Sequence, residues 1–204
     1  MQKTIRTLTA VLLLACSPLA FAQWAPESTD WSKLPDIKVS KLGLYLTPQQ
    51  AFAMKQKEGN KVALFDIRTR YEAMYVGMAT AADALIPFVE HQELMQEWDD
   101  KRHMYKVEPF QDFVPELERR LAELGLQGKD VPILLICRSG DRSSKAADRL
   151  MAAGYTRVYS VAEGFEGDTA KEGPQAGQRV VNGWKNAGLP WTYKLDKAKM
   201  YFPR

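Results

Sequence analysis

Val131-Pro132-Ile133-Leu134-Leu135-Ile136-Cys137 runs straight into Arg138-Ser139-Gly140-Asp141-Arg142-Ser143. The first seven residues are apolar at nearly every position, as a strand buried on both faces of a parallel sheet requires. From Ser143 to Ala153, Ala146, Ala147, Leu150 and Met151 share one helical face, and Gly154 supplies a left-handed stop. A shorter apolar run, Arg157 to Val161, follows. Strand, helix and strand within about thirty residues make a βαβ unit with a right-handed crossover. The fold class is therefore α/β with a parallel sheet.

Working outward, Val62-Ala63-Leu64-Phe65-Asp66-Ile67 has the same all-apolar character, closed by a charged residue. Leu42 to Leu46 is a short strand candidate. Thr47-Pro48-Gln49-Gln50 then opens a helix, with Thr47 as N-cap, Pro48 at the first helical position and Gln50 where a capping box places its third residue. Gly59 ends it. Residues 88–130 read as largely helical, with helical spacing over Glu90 to Trp98 and over Pro115 to Leu124. Residues 164–183, rich in glycine and polar residues, read as a long surface loop.

The chain has 204 residues, 46% apolar and 26% charged, enough for one α/β domain and short for two. Residues 1–22 read as an export signal: Lys3 and Arg6, an apolar run from Leu8 to Ala15, and Ala20-Phe21-Ala22 as a cleavage pattern. A variant reading is lipid anchoring at Cys16. The expected location is the periplasm or another exported compartment, with no stable membrane insertion after signal removal. Of 28 basic and 25 acidic residues, Lys3 and Arg6 would leave with the signal, so the net charge falls from +3 to +1. That balance offers no nucleic-acid surface. Residues 23–41 read as an extended arm that packs Trp24 and Trp31 on the domain.

Loss of Cys16 leaves Cys137 as the one thiol. A single free thiol in an oxidising compartment is either buried and inert or present for its chemistry. Its neighbours favour chemistry. Cys137 leaves the C-terminal end of a parallel strand, where open α/β sheets place their ligands. Gly140 is free to take positive φ, and the helix starting near Ser143 points unpaired N–H groups into the loop. Backbone donors, a helix dipole and two guanidiniums around one sulfur favour thiolate over thiol. Arg138 is placed to bind an anionic donor and Arg142 to pin the loop. Ser143 keeps two roles, hydroxyl donor or helix cap. His91 and His103 lack metal-ligand spacing, and neither a metal nor a cofactor is called for.

Cys137-Arg138-Ser139-Gly140-Asp141-Arg142-Ser143 resembles the active-site loop of the single-domain rhodaneses, the thiosulfate:thiol sulfurtransferases. The likeness extends upstream to Asp66-Ile67-Arg68 and Glu72, to Ile86-Pro87, and downstream to Gly164, Trp184 and Gly188-Leu189-Pro190. It implies a rhodanese-like domain over 42–191, with a tail at 192–204 and a central parallel sheet of about five strands with helices on both faces. It also implies that Cys137 carries sulfur as a persulfide, taken from a small anionic donor and passed to a thiol or protein acceptor. Ser139, Gly140 and Asp141 would help hold that persulfide. Asp66, Arg68 and Glu72 would support the loop, with Arg68 paired to Glu72; the bland reading is a surface ion pair worth ~0–1 kcal/mol. The insertions at 88–130 and 165–183 would enlarge the pocket.

Two rival readings stand beside this one. A cysteine phosphatase or arsenate reductase also places Cys at a strand end, but with five residues before the Arg; here four separate Cys137 from Arg142. A shorter loop suits one sulfur rather than a tetrahedral oxyanion. The other rival is a non-catalytic sulfur carrier or accessory module for an exported redox enzyme.

Overall fold

The computed structural model describes residues 29–203. The signal and lipid-anchor readings at 1–22, and Trp24 of the arm, lie outside them. Two 3-10 turns, Trp31–Lys33 and Asp36–Lys38, break the arm that the sequence suggested would be extended. Trp31 packs on Tyr45 with ring centroids 5.6 Å apart.

From there the chain alternates short strands and helices. β1 (Tyr45–Leu46) passes through Thr47 into α1 (Pro48–Glu58). The Thr47 hydroxyl accepts from Gln50 N at 3.2 Å while Gln50 Oε1 accepts from Thr47 N at 2.9 Å, the capping box read from the sequence. β2 (Ala63–Asp66) leads into α2 (Arg70–Val76), opened by a second capping box between Thr69 and Glu72. β3 (Met78–Ala79) and β4 (Ala84–Leu85) follow.

The next segment corrects the helical reading of 88–130. Val89–His91 (β5), Trp98–Asp99 (β6), Met104–Tyr105 (β7) and Val107–Pro109 (β8) are strands, and only α3 (Phe113–Glu123) is an α-helix. β5 pairs with β8 and β6 with β7, both antiparallel. Met95 and His103 take positive φ, 47° and 51°, which no helix through them would tolerate. Apolar residues three and four apart lie by accident on a double ribbon whose outer pair, β5 and β8, joins residues sixteen to twenty apart and whose inner pair, β6 and β7, joins residues five to seven apart. The chain ends its core with β9 (Ile133–Ile136), α4 (Asp141–Ala152) and β10 (Val158–Val161); β11 (Trp191–Thr192) returns to pair antiparallel with β3.

Five strands make one parallel sheet in the order β1-β10-β9-β2-β4. Ala63 sits opposite Ile133 and Asp66 opposite Ile136, so β2 and β9 end level at their C-terminal edge. Strand periodicity sends alternate side chains to two cores. Ala63, Phe65, Ile133 and Leu135 face Phe113, Leu117, Ala146 and Leu150 of α3 and α4. Leu64, Leu134 and Ile136 face Ala51, Ala73, Phe165 and Trp184, the side covered by α1 and α2. Helices on both faces of a five-stranded parallel sheet are thus present. Cys137 continues the register of Ile133 and Leu135, so it belongs to the α3/α4 side.

Candidate active site

The loop after β9 folds back over its own first residue. Gly140 caps α4 with φ 97°, and its N–H donates to Cys137 Sγ at 3.1 Å. The helix begins at Asp141, two residues before the expected start, because the turn closes at Gly140. A Cβ on Gly140 would stand 2.0 Å from the Ala162 carbonyl oxygen, and one on Gly164 2.4 Å from Ser139 N. Both glycines therefore let two backbones touch, and the segment after β10 clamps the loop. Phe165 N–H donates to Cys137 O at 2.8 Å, and Glu166 and Gly167 N–H donate to Arg138 O at 3.0 and 3.2 Å.

Beneath the sulfur lies a small polar network. The Cys137 thiol donates to Ser143 Oγ at 3.6 Å, Ser143 Oγ donates to Gly140 O at 3.1 Å, and Ser143 and Ser160 hydroxyls meet at 2.8 Å. Ser143 is therefore a partner of the sulfur within the first turn, and the cap is Gly140. Cys137 itself is 1% exposed.

Arg142 reaches across to α2 and forms a fork with Glu72: Nη1 to Oε2 at 2.7 Å and Nη2 to Oε1 at 2.6 Å. Such bidentate pairs fix direction as well as distance. Glu72 is held from its other side by the Thr69 N–H at 2.9 Å. Burial alone would raise the Glu72 pKa, but the Arg142 hydrogen bonds and charge lower it from 4.5 to about 2. Burial likewise works against the Arg142 charge, and the Glu72 carboxylate overrides it, so the pKa is raised.

Arg68 does not pair with Glu72, which corrects the expected contact. It turns back onto Asp66, with Nη2 to Oδ2 at 2.6 Å and Nε to Oδ1 at 3.0 Å, and Nη2 also donates to Gly77 O at 2.6 Å. The reason is local: residues two apart at a strand end share a side, while Glu72 is fixed toward Arg142 by its capping box. Nor is this a surface pair, since both side chains are 0% exposed. Phe165 lies 4.0 Å from the Arg68 guanidinium carbon. Desolvation would lower the Arg68 pKa, but the Asp66 carboxylate keeps it raised. Arg68 Nη1 has no hydrogen-bond partner among the described residues.

Over the loop opens a cleft of about 300 Å³. Arg138, Asp141 and Arg142 line it, together with Thr69, Glu72 and Lys145. Its far wall is Phe88, Val89, His91, Arg102, Met104 and Val107, so the strand ribbons of the 88–112 insertion build it. Asp141 pairs with Lys145. Ser139 stays in the clamped turn under Gly164. Arg179, from the 165–183 loop, donates to Gly167 O at 2.6 Å, and burial and then the Arg138 charge lower its pKa.

The structure thus gathers Cys137 to Ser143 with Glu72, and sets Asp66 and Arg68 behind them as an internal pair. Sequence reasoning missed Ser160, His91, Arg102, Met104 and Arg179. A polar residue inside the apolar run Arg157 to Val161 was a signal for Ser160. The others depend on how two insertions fold, and local sequence holds no sign of that. Among the described residues no cluster of three or more His, Cys, Asp or Glu could hold a metal, and no helix is long and apolar enough to cross a membrane.

The chain belongs to the rhodanese-like domain family, whose profile matches residues 47–171. Among solved structures, the crystal structure of Rv0390 from M. tuberculosis superposes with a TM-score of 0.52 at 27% identity, covering 72% of this chain and 96% of that one. An uncharacterised protein of Rickettsia prowazekii, RP600, is 36% identical over 64 residues, 31% of this chain and 44% of that protein. The thiosulfate sulfurtransferase GlpE of Tolumonas auensis is 44% identical over 39 residues, 19% of this chain and 37% of that protein. The chain thus spans less than half the length of these curated relatives.

Proposed function

We propose that this protein is a sulfurtransferase that carries a sulfane sulfur on Cys137. One observation bears the most weight: at the C-terminal end of a parallel strand, Cys137 Sγ receives the Gly140 N–H at the mouth of α4, in the loop whose Arg138 and Arg142 line a cleft. The similarity to a thiosulfate sulfurtransferase supports the reaction class. The Cys137 thiolate attacks the outer sulfur of thiosulfate, the sulfur–sulfur bond breaks, and sulfite leaves with the electron pair. The resulting persulfide is passed to an acceptor thiolate, so the reaction has two half-reactions. Donors fixed before the reaction, Gly140 N–H above all, stabilise charge on the sulfur without reorganising. Arg138 binds the anionic donor, and Arg142, held by Glu72, keeps the loop in shape. Export of the mature chain, read from residues 1–22, belongs to the same proposal.

Intact-mass spectrometry tests this. Incubation with thiosulfate is expected to add about 32 Da, one sulfur atom held covalently, and cyanide is expected to remove it. Cys137→Ser is expected to abolish both the adduct and thiocyanate formation with the fold unchanged; turnover surviving in that variant overturns the assignment. The near-complete burial of Cys137 favours a second reading, a sulfur carrier with negligible turnover on small donors. An adduct that forms stoichiometrically but turns over no faster than the uncatalysed reaction selects it.

A further inference from the structure

Two buried hydroxyls stand beneath the sulfur. Ser143 lies in the first turn of α4, and Ser160 lies in β10, between β1 and β9 of the sheet. Their oxygens meet at 2.8 Å, and among the described residues the Ser160 hydroxyl has no other partner. Ser143 Oγ carries one proton and faces Gly140 O at 3.1 Å, Ser160 Oγ at 2.8 Å and Cys137 Sγ at 3.6 Å. A hydroxyl proton rotates to suit its neighbours. With Cys137 as a thiol, the S–H points to Ser143 and the Ser143 proton goes to Gly140 O. With Cys137 as a thiolate, the Ser143 proton turns to the sulfur. The Gly140 carbonyl is not orphaned by that turn, because Ser144 N–H donates to it at 3.3 Å. Ser143 Oγ is not left short either, because Ser160 donates into it. Each arrangement keeps the buried polar groups paired, as their burial demands.

Resting on the sulfur-transfer reading, we infer that Ser160 is a positioning residue for the Cys137 thiolate: its hydroxyl donates to Ser143 Oγ and so aims the Ser143 proton at the sulfur. A hydroxyl that accepts one hydrogen bond donates the next more strongly, so Ser160 acts on the sulfur without touching it. The heavy atoms are in place before the charge forms, and only protons turn. The charged groups near Cys137 are Arg138 of its loop, Arg142 and Asp141 of α4, Glu72 of α2, Asp66 and Arg68 at the end of β2, and Glu166 beyond β10. From α3 the same side receives the apolar Phe113 and Leu117. Ser160 hydrogen-bonds to none of the charged groups, so its removal leaves their charges in place.

The test follows the ultraviolet absorbance of thiolate against pH in the full chain. The difference from Cys137→Ser cancels Cys16 and the tyrosines. Losing a donor to the charged form disfavours it, so in Ser160→Ala the midpoint is expected to move to higher pH. The shift should leave about three- to tenfold less thiolate at a given pH below the midpoint, the worth of roughly one hydrogen bond. The kcat/KM for persulfide formation from thiosulfate is expected to fall by the same factor there and to recover above the midpoint, where both proteins are fully thiolate. A packing defect would not recover. Because Ser160 acts through Ser143, Ser143→Ala and Ser143→Ala/Ser160→Ala are expected to share one midpoint. The Ser160→Ala comparison stands by itself if Ser143→Ala, with Ser160 left unpaired, folds poorly. A midpoint unmoved in Ser160→Ala, an activity loss that persists at high pH, or a further shift when Ser160 is removed after Ser143 would each overturn the inference. Mass spectrometry separates the two levels. A Cys137 persulfide that forms normally with no shift in Ser160→Ala sinks this inference alone, whereas no persulfide from any donor sinks the sulfur-transfer reading beneath it.

Discussion

At the scale of single residues the site depends on a few atoms that have no freedom. Glu72 connects α2 to the start of α4 through its fork with Arg142. Its pKa is about 2 in the folded chain against 4.5 ordinarily, so the folded state binds fewer protons than the unfolded chain between those values. The stability this gives is fully present above pH 4.5 and is lost as the pH falls through 2. It amounts to on the order of 3 kcal/mol. Glu72→Gln is therefore expected to be less stable at neutral pH and to show a flatter stability profile between pH 4.5 and 2, as measured by urea unfolding at several pH values. Parallel profiles for the two proteins would refute the assignment. Gly140 is as constrained: with φ 97° and the Ala162 carbonyl where a Cβ would go, Gly140→Ala is expected to lose on the order of 2–3 kcal/mol by the same measurement.

At the scale of elements, the parts built from local rules were legible and the parts built from distant pairing were not. The buried strands β2, β9 and β10 announce themselves as apolar runs, and α1 by Thr47 and Gln50, because the cause of each lies within a few residues. Cys137 to Ser143 was legible for the same reason, as strand end, glycine turn and helix start are contiguous. The β5–β8 and β6–β7 ribbons were misread as helix. β5 meets β8 with His91 opposite Val107, a closure that no local pattern records, and β6 and β7 form a short hairpin inside that excursion, Trp98 opposite Tyr105. Glu72 was assigned the wrong arginine because two candidates stood close in sequence and the true partner lies seventy residues on. This division predicts dynamics. Amides of β2 and β9, buried on both faces, are expected to exchange with solvent only through global unfolding. Those of β6 and β7, with Trp98 and Tyr105 both about half exposed, should exchange orders of magnitude faster through local opening. Uniform protection across both regions in a hydrogen-exchange experiment would contradict this.

At the scale of the whole molecule, the arm, the 164–188 segment and the cysteine loop form one bonded series. Lys38, buried on the arm, reaches Asp168 at 2.7 Å, and Ser144 of α4 donates to Ile37 O at 3.2 Å. Asp168 exchanges two hydrogen bonds with Asn182, at 2.8 and 3.1 Å. One residue earlier, Gly167 N–H holds Arg138 O. The clamp over the buried sulfur is thus tied to a segment that touches no part of the cleft. Because Asp168 is 40% exposed, solvent screens the pair, and removing Lys38 is expected to lower global stability by only about 1 kcal/mol. The effect on the sulfur should be out of proportion. If reagents reach Cys137 when the 164–188 segment lifts, Lys38→Ala shifts that local opening directly, and alkylation by iodoacetamide should speed up about fivefold, the factor 1 kcal/mol gives when the whole loss falls on the opening step. Global unfolding is far rarer and would leave the rate governed by the full stability of the chain. Measuring alkylation against urea separates the two routes. A rate insensitive to low urea and raised by Lys38→Ala indicates the local clamp, whereas a rate that tracks global unfolding in both proteins would show that the arm and the segment hold the fold and leave the sulfur alone.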